Sequence, residues 1–212
     1  MTFKRARTSA QIDERRREIL SACATLFDQG DIDDVHFKAI GQMTSFARST
    51  IYKYYSSKEE ILLDLLIQEV KKWVADVESF TQANDALSRE GFCQALTQTY
   101  AGNFRMLRLL AHQNLSLEKN SSLEKIVEFK KELYSETASF VESIQKFFPQ
   151  ADQRAVSTFI HSSSCFIVGL YPTAHSTQKQ IEATLASGNE YVPVDFSGTC
   201  YRVLMLLTAD LV

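Results

Sequence analysis

The sequence predicts an all-α protein with a small N-terminal head on a larger helical body. Only three prolines occur in 212 residues, and none precedes Pro149, so the strongest helix breaker is absent from the first two thirds of the chain. Apolar residues recur at helical spacing, and no long stretch alternates with the period of two that strands require. Hydrophobic residues make up 45% and charged residues 23%, which is typical of a folded globular protein.

The net charge of -3 conceals a difference between the two parts of the chain. Residues 1–58 hold ten Lys and Arg against seven Asp and Glu, whereas residues 59–212 hold thirteen against nineteen. A local positive excess attracts polyanions only at short range, because salt screens it beyond about 8–10 Å. The head is therefore the part that is expected to bind a polyanion.

The first predicted helix follows a basic arm at residues 1–7. Thr8-Ser9-Ala10-Gln11 has the pattern of a capping box, and apolar residues then recur at helical spacing. We expect this helix to run to about Asp28, and Gly30 to end it in the left-handed conformation. Its polar face carries Arg15, Arg16 and Arg17. Two interpretations of these arginines stay open: a solvated face balanced by acidic neighbours, or contact with phosphate.

Two short helices separated by a three-residue turn come next. The first lies within residues 35–43, the turn is residues 44–46, and the second helix lies within residues 47–55, which is the helix-turn-helix pattern. No Asp or Glu occurs from residue 35 to residue 58. Cations and hydroxyls without carboxylates suit a DNA duplex. The donors in this stretch are Lys38, Arg48, Ser49, Thr50, Tyr52, Lys53 and Tyr54.

Residues 37–62 resemble the signature of the tetracycline-repressor (TetR) family of transcriptional regulators. The segment Thr50-Ile51-Tyr52-Lys53-Tyr54-Tyr55-Ser56-Ser57-Lys58-Glu59-Glu60-Ile61-Leu62 follows the family's T-[LI]-Y-x-[HY]-[FY]-x-S-K-E core. The resemblance implies a three-helix DNA-binding domain whose third helix enters the major groove. It further implies two sets of contacts: bases or nearby backbone for Lys38, Arg48, Ser49 and Thr50, and mainly phosphate for Tyr52, Tyr54 and Lys58.

The turn region departs from the family pattern at several positions. His36 stands where the family has a helix-opening threonine, Gly41 replaces an alanine, and Ala47 replaces a helix-opening serine. The turn also lacks its usual glycine. A serine adopts the left-handed conformation only at some cost, so we expect slight strain there. Ala47 has no side chain that caps the second helix, and Ser45 is the alternative cap.

A long fourth helix is predicted to begin with a second capping box. Ser57-Lys58-Glu59-Glu60 has the required pattern, and the helix N-terminus together with Lys58 makes an anion site beside the recognition helix. Apolar residues at helical spacing continue this helix through Val77. Tyr52 and Tyr54 are two residues apart and cannot share one helical face, so at least one of them must face outward.

The body is predicted to contain several further helices. A polar connection at residues 81–88 precedes helical patterns at about 88–104, 104–114, 122–148, 151–171 and 196–211, with one short helix within 173–195. Pro149 and Pro172 mark helix ends, because the residue before a proline is pushed out of the helical region. The predicted domains are a DNA-binding head at 1–57, a linking helix at 58–79, and an effector-binding and dimerisation domain at 80–212.

The resemblance also implies what the body does. TetR-family bodies bind a small molecule and dimerise through a four-helix bundle, which assigns dimerisation here to about residues 151–171 and 196–211. Residue type favours an apolar or aromatic effector, and the candidate contacts are Tyr100, Phe104, His112, Phe129, Tyr134 and His161. The alternative for each is that it fills a dry core. The predicted function is a homodimeric repressor that a small molecule releases from a palindromic operator.

An enzyme is the alternative from a different class. His161 and Cys165 lie four residues apart on one predicted helix face, but a catalytic pair also needs an orienting group and an oxyanion site. Two ligands fall short of a zinc site, so we predict no catalytic residue, metal or cofactor. A regulator controlled by a protein partner is a further alternative.

The cellular compartment is predicted from what the sequence lacks. The four cysteines are evenly spread, and neither a secretory signal nor a run of about 20 apolar residues occurs. We therefore expect reduced thiols, a cytoplasmic location and no membrane partner.

Overall fold

The structure, a computed structural model, describes residues 9–212. Across these residues the regular elements are helices and no strand occurs, which confirms the all-α prediction. The basic arm and Thr8 of the first predicted capping box lie outside the described residues. The elements are α1 (Ser9–Gln29), α2 (Phe37–Met43), α3 (Arg48–Ile51), α4 (Lys58–Ala83), α5 (Arg89–Gly102), α6 (Phe104–His112), a π-helical turn (Gln113–Leu117), α7 (Leu123–Glu136), α8 (Ala138–Phe147), α9 (Gln153–Ala174), α10 (Gln178–Ala186), α11 (Phe196–Leu207) and a 3₁₀ turn (Ala209–Leu211).

The described chain forms two compact units. The head unit comprises the chain up to Gln68 together with His112–Glu132, which we call the 112–132 segment. The body unit comprises Glu69–Ala111 and Leu133–Val212. The head unit is therefore discontinuous in sequence, because it combines α1 to α3 and the start of α4 with a segment that follows α6.

The core of the head unit forms where α1 packs against α2 and α2 packs against α3. Ile19, Cys23, Phe27, Ile40 and Ile51 are fully buried. Burial raises the pKa of the Cys23 thiol to about 12, because a buried thiolate loses its hydration. Helices as short as α2 and α3 are not stable alone, so packing against α1 stabilises them.

Helix α1 ends at Gln29, close to its predicted end, but not through a left-handed glycine. Among the described residues, the one positive φ is 83° at Gly188. Glycine at position 30 instead leaves room for the Asp34 side chain. A Cβ at this position would collide with the carboxylate of Asp34, which accepts a hydrogen bond from the backbone N–H of Asp31 at 2.8 Å.

Aromatic side chains dominate the core of the body unit, in which α11 packs against α5 and α9. The fully buried ring of Phe92 meets Phe148 edge-on at 5.1 Å between centroids. The indole of Trp73 stacks on Tyr100 at 5.4 Å, and its Nε1 donates to the Thr99 hydroxyl at 3.0 Å. A buried indole therefore has its polar atom satisfied.

The single helix predicted over residues 122–148 is wrong, because α7 and α8 are separated at Thr137. The Thr137 hydroxyl donates to the Leu133 carbonyl at 2.8 Å. The Phe140 backbone N–H donates to the Thr137 carbonyl at 3.2 Å in a tighter turn. A threonine hydroxyl that bonds the carbonyl four residues earlier tends to bend a helix, and apolar periodicity does not record this.

The predicted helix end before Pro172 is also wrong, because α9 continues past this residue. Proline removes one backbone donor and crowds the preceding turn, but here it is exposed in the final turn of the helix. The Thr173 hydroxyl donates to the Gly169 carbonyl at 2.8 Å, and the His175 backbone N–H donates to the Tyr171 carbonyl at 3.1 Å. The short helix predicted within 173–195 is confirmed as α10.

Two kinds of feature do not occur in the part of the chain that the structure describes. No helix between residues 9 and 212 combines the length and apolarity needed to cross a membrane. In the same part of the chain, no group of three or more His, Cys, Asp or Glu side chains is placed to hold a metal ion.

Candidate nucleic-acid interface

The turn between α2 and α3 is held by α1. The Ser45 hydroxyl donates to the Glu18 carboxylate at 3.1 Å, and the Ser45 backbone N–H donates to the same carboxylate. Arg15 donates to the Ser45 hydroxyl at 2.8 Å and lies 4.5 Å over the Phe46 ring. Ser45 therefore does not cap α3. The strain predicted here is also absent, because no residue other than glycine has a positive φ within 9–212.

Helix α3 presents the predicted DNA-binding residues without the help of a side-chain cap. Its N-cap is Ala47, which has an extended backbone. Helices α2 and α3 approach so closely that a Cβ at Gly41 would lie 3.1 Å from the Cβ of Arg48, which favours glycine at this position. In α3 and the turn that follows it, the side chains of Ile51 and Tyr55 are buried and those of Thr50 and Tyr54 are half-buried. The exposed side chains are Arg48, Ser49, Tyr52 and Lys53.

Tyr52 is 51% exposed, which confirms that at least one of the two tyrosines faces outward. Its ring packs edge-on against Phe37, with 4.6 Å between ring centroids. The Arg48 guanidinium donates to the Tyr52 hydroxyl at 2.7 Å and lies 5.5 Å from the centre of the same ring. A tyrosine that is itself held by the core thus positions the arginine.

An open groove of about 410 Å³ lies on this surface of the head unit. It is lined by His36, Phe37, Lys38, Arg48, Tyr52, Ser56, Ser57 and Lys58. The lining offers guanidinium, ammonium, hydroxyl and imidazole groups and contains no carboxylate, which is a composition suited to phosphate. Four predicted DNA-binding residues converge here: Lys38, Arg48, Tyr52 and Lys58. The sequence did not single out His36 or Ser56 as contacts, although both lie in the stretch without Asp or Glu.

His36 caps α2 in place of the threonine of the family pattern. The backbone N–H of Ala39 donates to its Nδ1 at 3.0 Å, and the His36 backbone is extended with φ -147° and ψ 157°. A ring nitrogen thus performs the role that a side-chain oxygen performs at most N-caps.

Lys58 opens α4 at the edge of the groove. Its Nζ donates to the Ile32 carbonyl at 2.9 Å and lies 3.6 Å from the carboxylate of Asp33. The same side chain lines the groove. A phosphate that enters the groove would therefore compete with Asp33 for the ammonium group.

Glu60 joins the start of α4 to the 112–132 segment within the head unit. Its carboxylate accepts from the Ser56 backbone N–H at 2.8 Å and from the Ser122 hydroxyl at 2.7 Å. Burial alone would raise the pKa of Glu60, but these hydrogen bonds outweigh it and hold the pKa below its ordinary value. The predicted capping box is present in altered form: Ser57 Oγ accepts from the Glu60 N–H at 3.3 Å, whereas Glu60 bonds back to Ser56.

A second polar cluster supports the turn that follows α3. The Tyr55 hydroxyl donates to Asp64 at 2.7 Å, and Asp64 pairs with Lys125 of the 112–132 segment. Lys125 also lies 2.9 Å from Glu128. Burial, reinforced by the Asp64 carboxylate, raises the pKa of Tyr55, so its hydroxyl remains a donor.

Two protein-family models cover most of the chain. The model described as Bacterial regulatory proteins, tetR family, matches residues 19–65. The model described as Tetracyclin repressor-like, C-terminal domain, matches residues 67–209. The chain belongs to the TetR family. All the residues that line the groove fall within the first match, which is the DNA-binding part of a TetR-family regulator.

Solved structures share this TetR-family fold at low sequence identity. A TetR-family transcriptional regulator from Mesorhizobium loti is 16% identical with a TM-score of 0.56, and the match covers 93% of this chain and 96% of that one. The fatty acid degradation regulator FadR from Bacillus halodurans is 16% identical with a TM-score of 0.52, covering 91% and 94%. FadR from Bacillus subtilis, solved in complex with stearoyl-CoA, is 14% identical with a TM-score of 0.51, covering 92% and 98%. No curated protein sequence matches the chain significantly.

Membership of the TetR family makes the protein a DNA-binding transcriptional regulator and not an enzyme. Of the alternative catalytic pair, His161 contacts its own helix. His161 and Cys165 are both exposed on α9. The Nδ1 of His161 lies 2.9 Å from the Ser157 carbonyl of its own helix.

The structure distributes the six predicted effector contacts of this TetR-family protein over both units. His112 and Phe129 belong to the head unit, where Phe129 is buried. The other four belong to the body unit, namely Tyr100, Phe104, Tyr134 and His161.

Within the body unit, Tyr100 and Phe104 lie in different aromatic clusters. Tyr100 is buried and stacks on Trp73. Phe104 is partly exposed and meets the ring of His175 at 4.8 Å and that of Phe196 at 5.2 Å. Tyr134 is 70% exposed and His161 is also exposed. Tyr100 is therefore the one of the four predicted contacts in the body unit that is buried.

Proposed function

We propose that this TetR-family protein is a homodimeric repressor that binds a near-palindromic operator and is released when a small molecule binds its body. The observation that carries the proposal is the groove beside α3, where Lys38, Arg48, Tyr52 and Lys58 converge without a carboxylate. Because its target is duplex DNA, we place the protein in the cytoplasm.

Base readout is assigned to α3 in the major groove. Arg48 and Ser49 are exposed at its start, and Lys53 is exposed just beyond its end. Arginine recognises guanine through two parallel hydrogen bonds, whereas serine and lysine also reach phosphate oxygens. Tyr52 keeps the Arg48 guanidinium in place at 2.7 Å. Arg48 is therefore the residue to which we assign the largest share of sequence discrimination.

Dimerisation is assigned to α9 and α11. Leu206 on α11 is 74% exposed, although it lies in a helix that also buries Phe196, Cys200 and Leu204. A helix that is apolar on its outer side as well as its inner side is suited to a second interface. Two copies joined in this way would present two recognition helices to successive major grooves.

The effector is assigned to the body unit, near Tyr100. This tyrosine stacks on Trp73, which in turn meets the ring of Phe140 at 5.0 Å. Such surroundings suit an apolar or aromatic molecule. FadR from Bacillus subtilis was solved with stearoyl-CoA, and we include that compound among the first to be tested. Because Trp73 is the single tryptophan, its emission reports any molecule that alters the surroundings of Tyr100.

Helix α4 is proposed to carry the response to the effector. Glu69 and Asp76, on its later part, are bonded within the body unit to Arg105 at 2.8 Å and to Asn103 at 2.6 Å. Its first part is bonded within the head unit through Glu60. We propose functional limits of 1–57 for DNA binding, 58–79 for the linking helix and 80–212 for effector binding and dimerisation, within which the 112–132 segment packs with the head unit. Linkage then requires bound DNA to weaken effector binding by the same factor.

The first experiment selects bound sequences from a random duplex pool at physiological salt and then titrates the selected duplex. A two-fold symmetric site bound in preference to random DNA is the expected result. Salt-sensitive binding without a preferred site would contradict base readout by α3. A symmetric site that is bound equally well with every small molecule tested would contradict the effector, and would favour control by a protein partner.

The second experiment tests the dimer by sedimentation. Leu206→Glu places a charge on the proposed interface and is expected to yield a monomer that binds the operator far more weakly. The matched control is Leu185→Glu on α10, where the side chain is 56% exposed but lies outside the proposed interface. A dimer that persists in Leu206→Glu would exclude this part of α11 from the interface.

A further inference from the structure

We propose that His36 binds a DNA phosphate through its Nε2 atom, in addition to capping α2 through its Nδ1 atom. This inference rests on the proposed function, in which the groove of the head unit faces DNA. Nothing in the family resemblance assigns DNA contact to a histidine at this position.

The cap determines which imidazole nitrogen carries the proton. The backbone N–H of Ala39 donates to Nδ1 of His36 at 3.0 Å, so Nδ1 must offer its lone pair. In a neutral imidazole the proton then lies on Nε2. His36 thus has one nitrogen committed to its own helix and one N–H donor left for a partner.

The surroundings of His36 supply the other groups that a phosphate needs. Its side chain is exposed and lines the groove together with Lys38, Arg48 and Lys58. Hydroxyls of the same lining add neutral donors. Phosphate oxygens in protein–DNA complexes are bound by such mixtures of cations, hydroxyls and N–H groups. Asp33, which lies 3.6 Å from the Lys58 ammonium, is not part of the lining.

A neutral hydrogen-bond donor and a cation have different effects on the salt dependence of DNA binding. Each cation that neutralises a phosphate releases counterions and makes binding more sensitive to salt. In a plot of the logarithm of the association constant against the logarithm of the salt concentration, each phosphate contact steepens the slope by about 0.9. A neutral imidazole adds a hydrogen bond but releases no counterion. Loss of the His36 contact at pH 8 is therefore expected to weaken binding at every salt concentration while the slope stays unchanged.

Three substitutions separate the cap from the phosphate contact. Asparagine caps helices well and retains an N–H donor, aspartate caps equally well but offers only negatively charged acceptors, and alanine does neither. The variants are His36→Asn, His36→Asp and His36→Ala. Each is measured for its melting temperature and for its affinity for the selected operator duplex over a range of salt at pH 8.

The expected pattern differs between the two measurements. His36→Asn and His36→Asp melt close to the wild type, whereas His36→Ala melts at a lower temperature, since only alanine removes the cap. His36→Asn binds DNA within about threefold of the wild type, and His36→Asp binds at least about tenfold more weakly, because a carboxylate repels phosphate. His36→Ala is weakened with an unchanged salt slope.

Binding by His36→Asp that equals the wild type would overturn the proposal, because it would mean that no phosphate lies close to this side chain. Equal loss in His36→Asn and His36→Asp would also overturn it. If Lys58→Ala weakens binding and His36→Asp does not, the inference about His36 fails while the DNA role of the groove stands. If the folded wild type binds no duplex, the proposed function and this inference fail together.

Discussion

The hydroxyl of Ser122 donates to the carboxylate of Glu60 at 2.7 Å, although the two residues are 62 positions apart. An ion pair between Lys125 and Asp64 joins the same two parts of the chain. Asp64 also accepts from the Tyr55 hydroxyl at 2.7 Å. The turn that follows the recognition helix is thus supported by a segment that lies far beyond the helix-turn-helix in sequence.

Glu60→Gln is expected to destabilise the fold in a pH-dependent manner. Removing the carboxylate leaves the Ser122 and Ser56 donors poorly matched in a buried site, at a cost of about 1–3 kcal/mol near pH 7. The pKa of Glu60 is held below its ordinary value, so the unfolded chain binds this proton more readily than the folded one. The stability that Glu60 contributes is therefore present near neutrality and is lost as pH falls through its folded pKa.

The measurement for Glu60 is urea unfolding of the wild type and of Glu60→Gln at a series of pH values from 7 to 3. The difference between their free energies of unfolding is expected to shrink on acidification. Glu59→Gln, at the neighbouring position, is the control for removing one negative charge from the first turn of α4. A difference that stays constant over the whole range would show that ionisation of Glu60 does not matter.

Arg48→Ala is expected to reduce discrimination between the operator and random DNA. Loss of a guanidinium that reads one base costs about 1–3 kcal/mol at that base pair and relaxes specificity there. Tyr52→Phe is the companion variant, because it keeps the ring but removes the hydroxyl that accepts from Arg48 at 2.7 Å. Competition titrations with single-base operator variants give the measurement. Equal weakening on all sequences would reassign Arg48 to phosphate.

Lys58→Ala is expected to weaken binding to operator and random DNA alike. The salt dependence of the association constant should fall by about one unit of slope, since one phosphate contact is lost. Asp33→Asn is the companion variant: it removes the carboxylate 3.6 Å from the Lys58 ammonium and is expected to leave binding equal or tighter. An unchanged salt slope in Lys58→Ala would exclude a phosphate contact by this residue.

Thr99→Val is expected to destabilise the body unit by about 1–3 kcal/mol, because the buried Nε1 of Trp73 loses its acceptor. Unfolding is followed by the emission of Trp73, the single tryptophan. The control is Thr97→Val on the same helix, whose buried hydroxyl has no hydrogen-bond partner among the described residues and whose loss should cost less. Equal stability of wild type and Thr99→Val would mean that water replaces the missing acceptor.

The fold class and the part of the head unit that carries the candidate groove could be predicted from the sequence because their signals are local. Helical spacing places Ile40 and Ile51 in the core, and both are fully buried. The stretch without Asp or Glu brings Lys38, Arg48 and Lys58 to one groove, since all three lie within a few turns of one another along the chain.

The remaining features depend on contacts that periodicity does not record. Arg15 pairs with Glu18 on its own helix, as the interpretation of a face balanced by acidic neighbours expected, but it also bonds to Ser45, thirty positions away. The Thr137 hydroxyl bonds to the Leu133 carbonyl where α7 ends, within a segment whose apolar pattern is continuous. Ser122 and Lys125 join the 112–132 segment to the rest of the head unit through Glu60 and Asp64. Neither Ser122 nor Lys125 stands out among the polar residues of the sequence.

The discontinuous head unit has a consequence for synthesis on the ribosome. Gln68 is translated well before Glu132, and at about 5–20 residues per second the interval amounts to roughly 3–13 seconds. During that time Glu60 and Asp64 lack Ser122 and Lys125. All the residues that line the groove are therefore synthesised before the segment that supports the turn after α3.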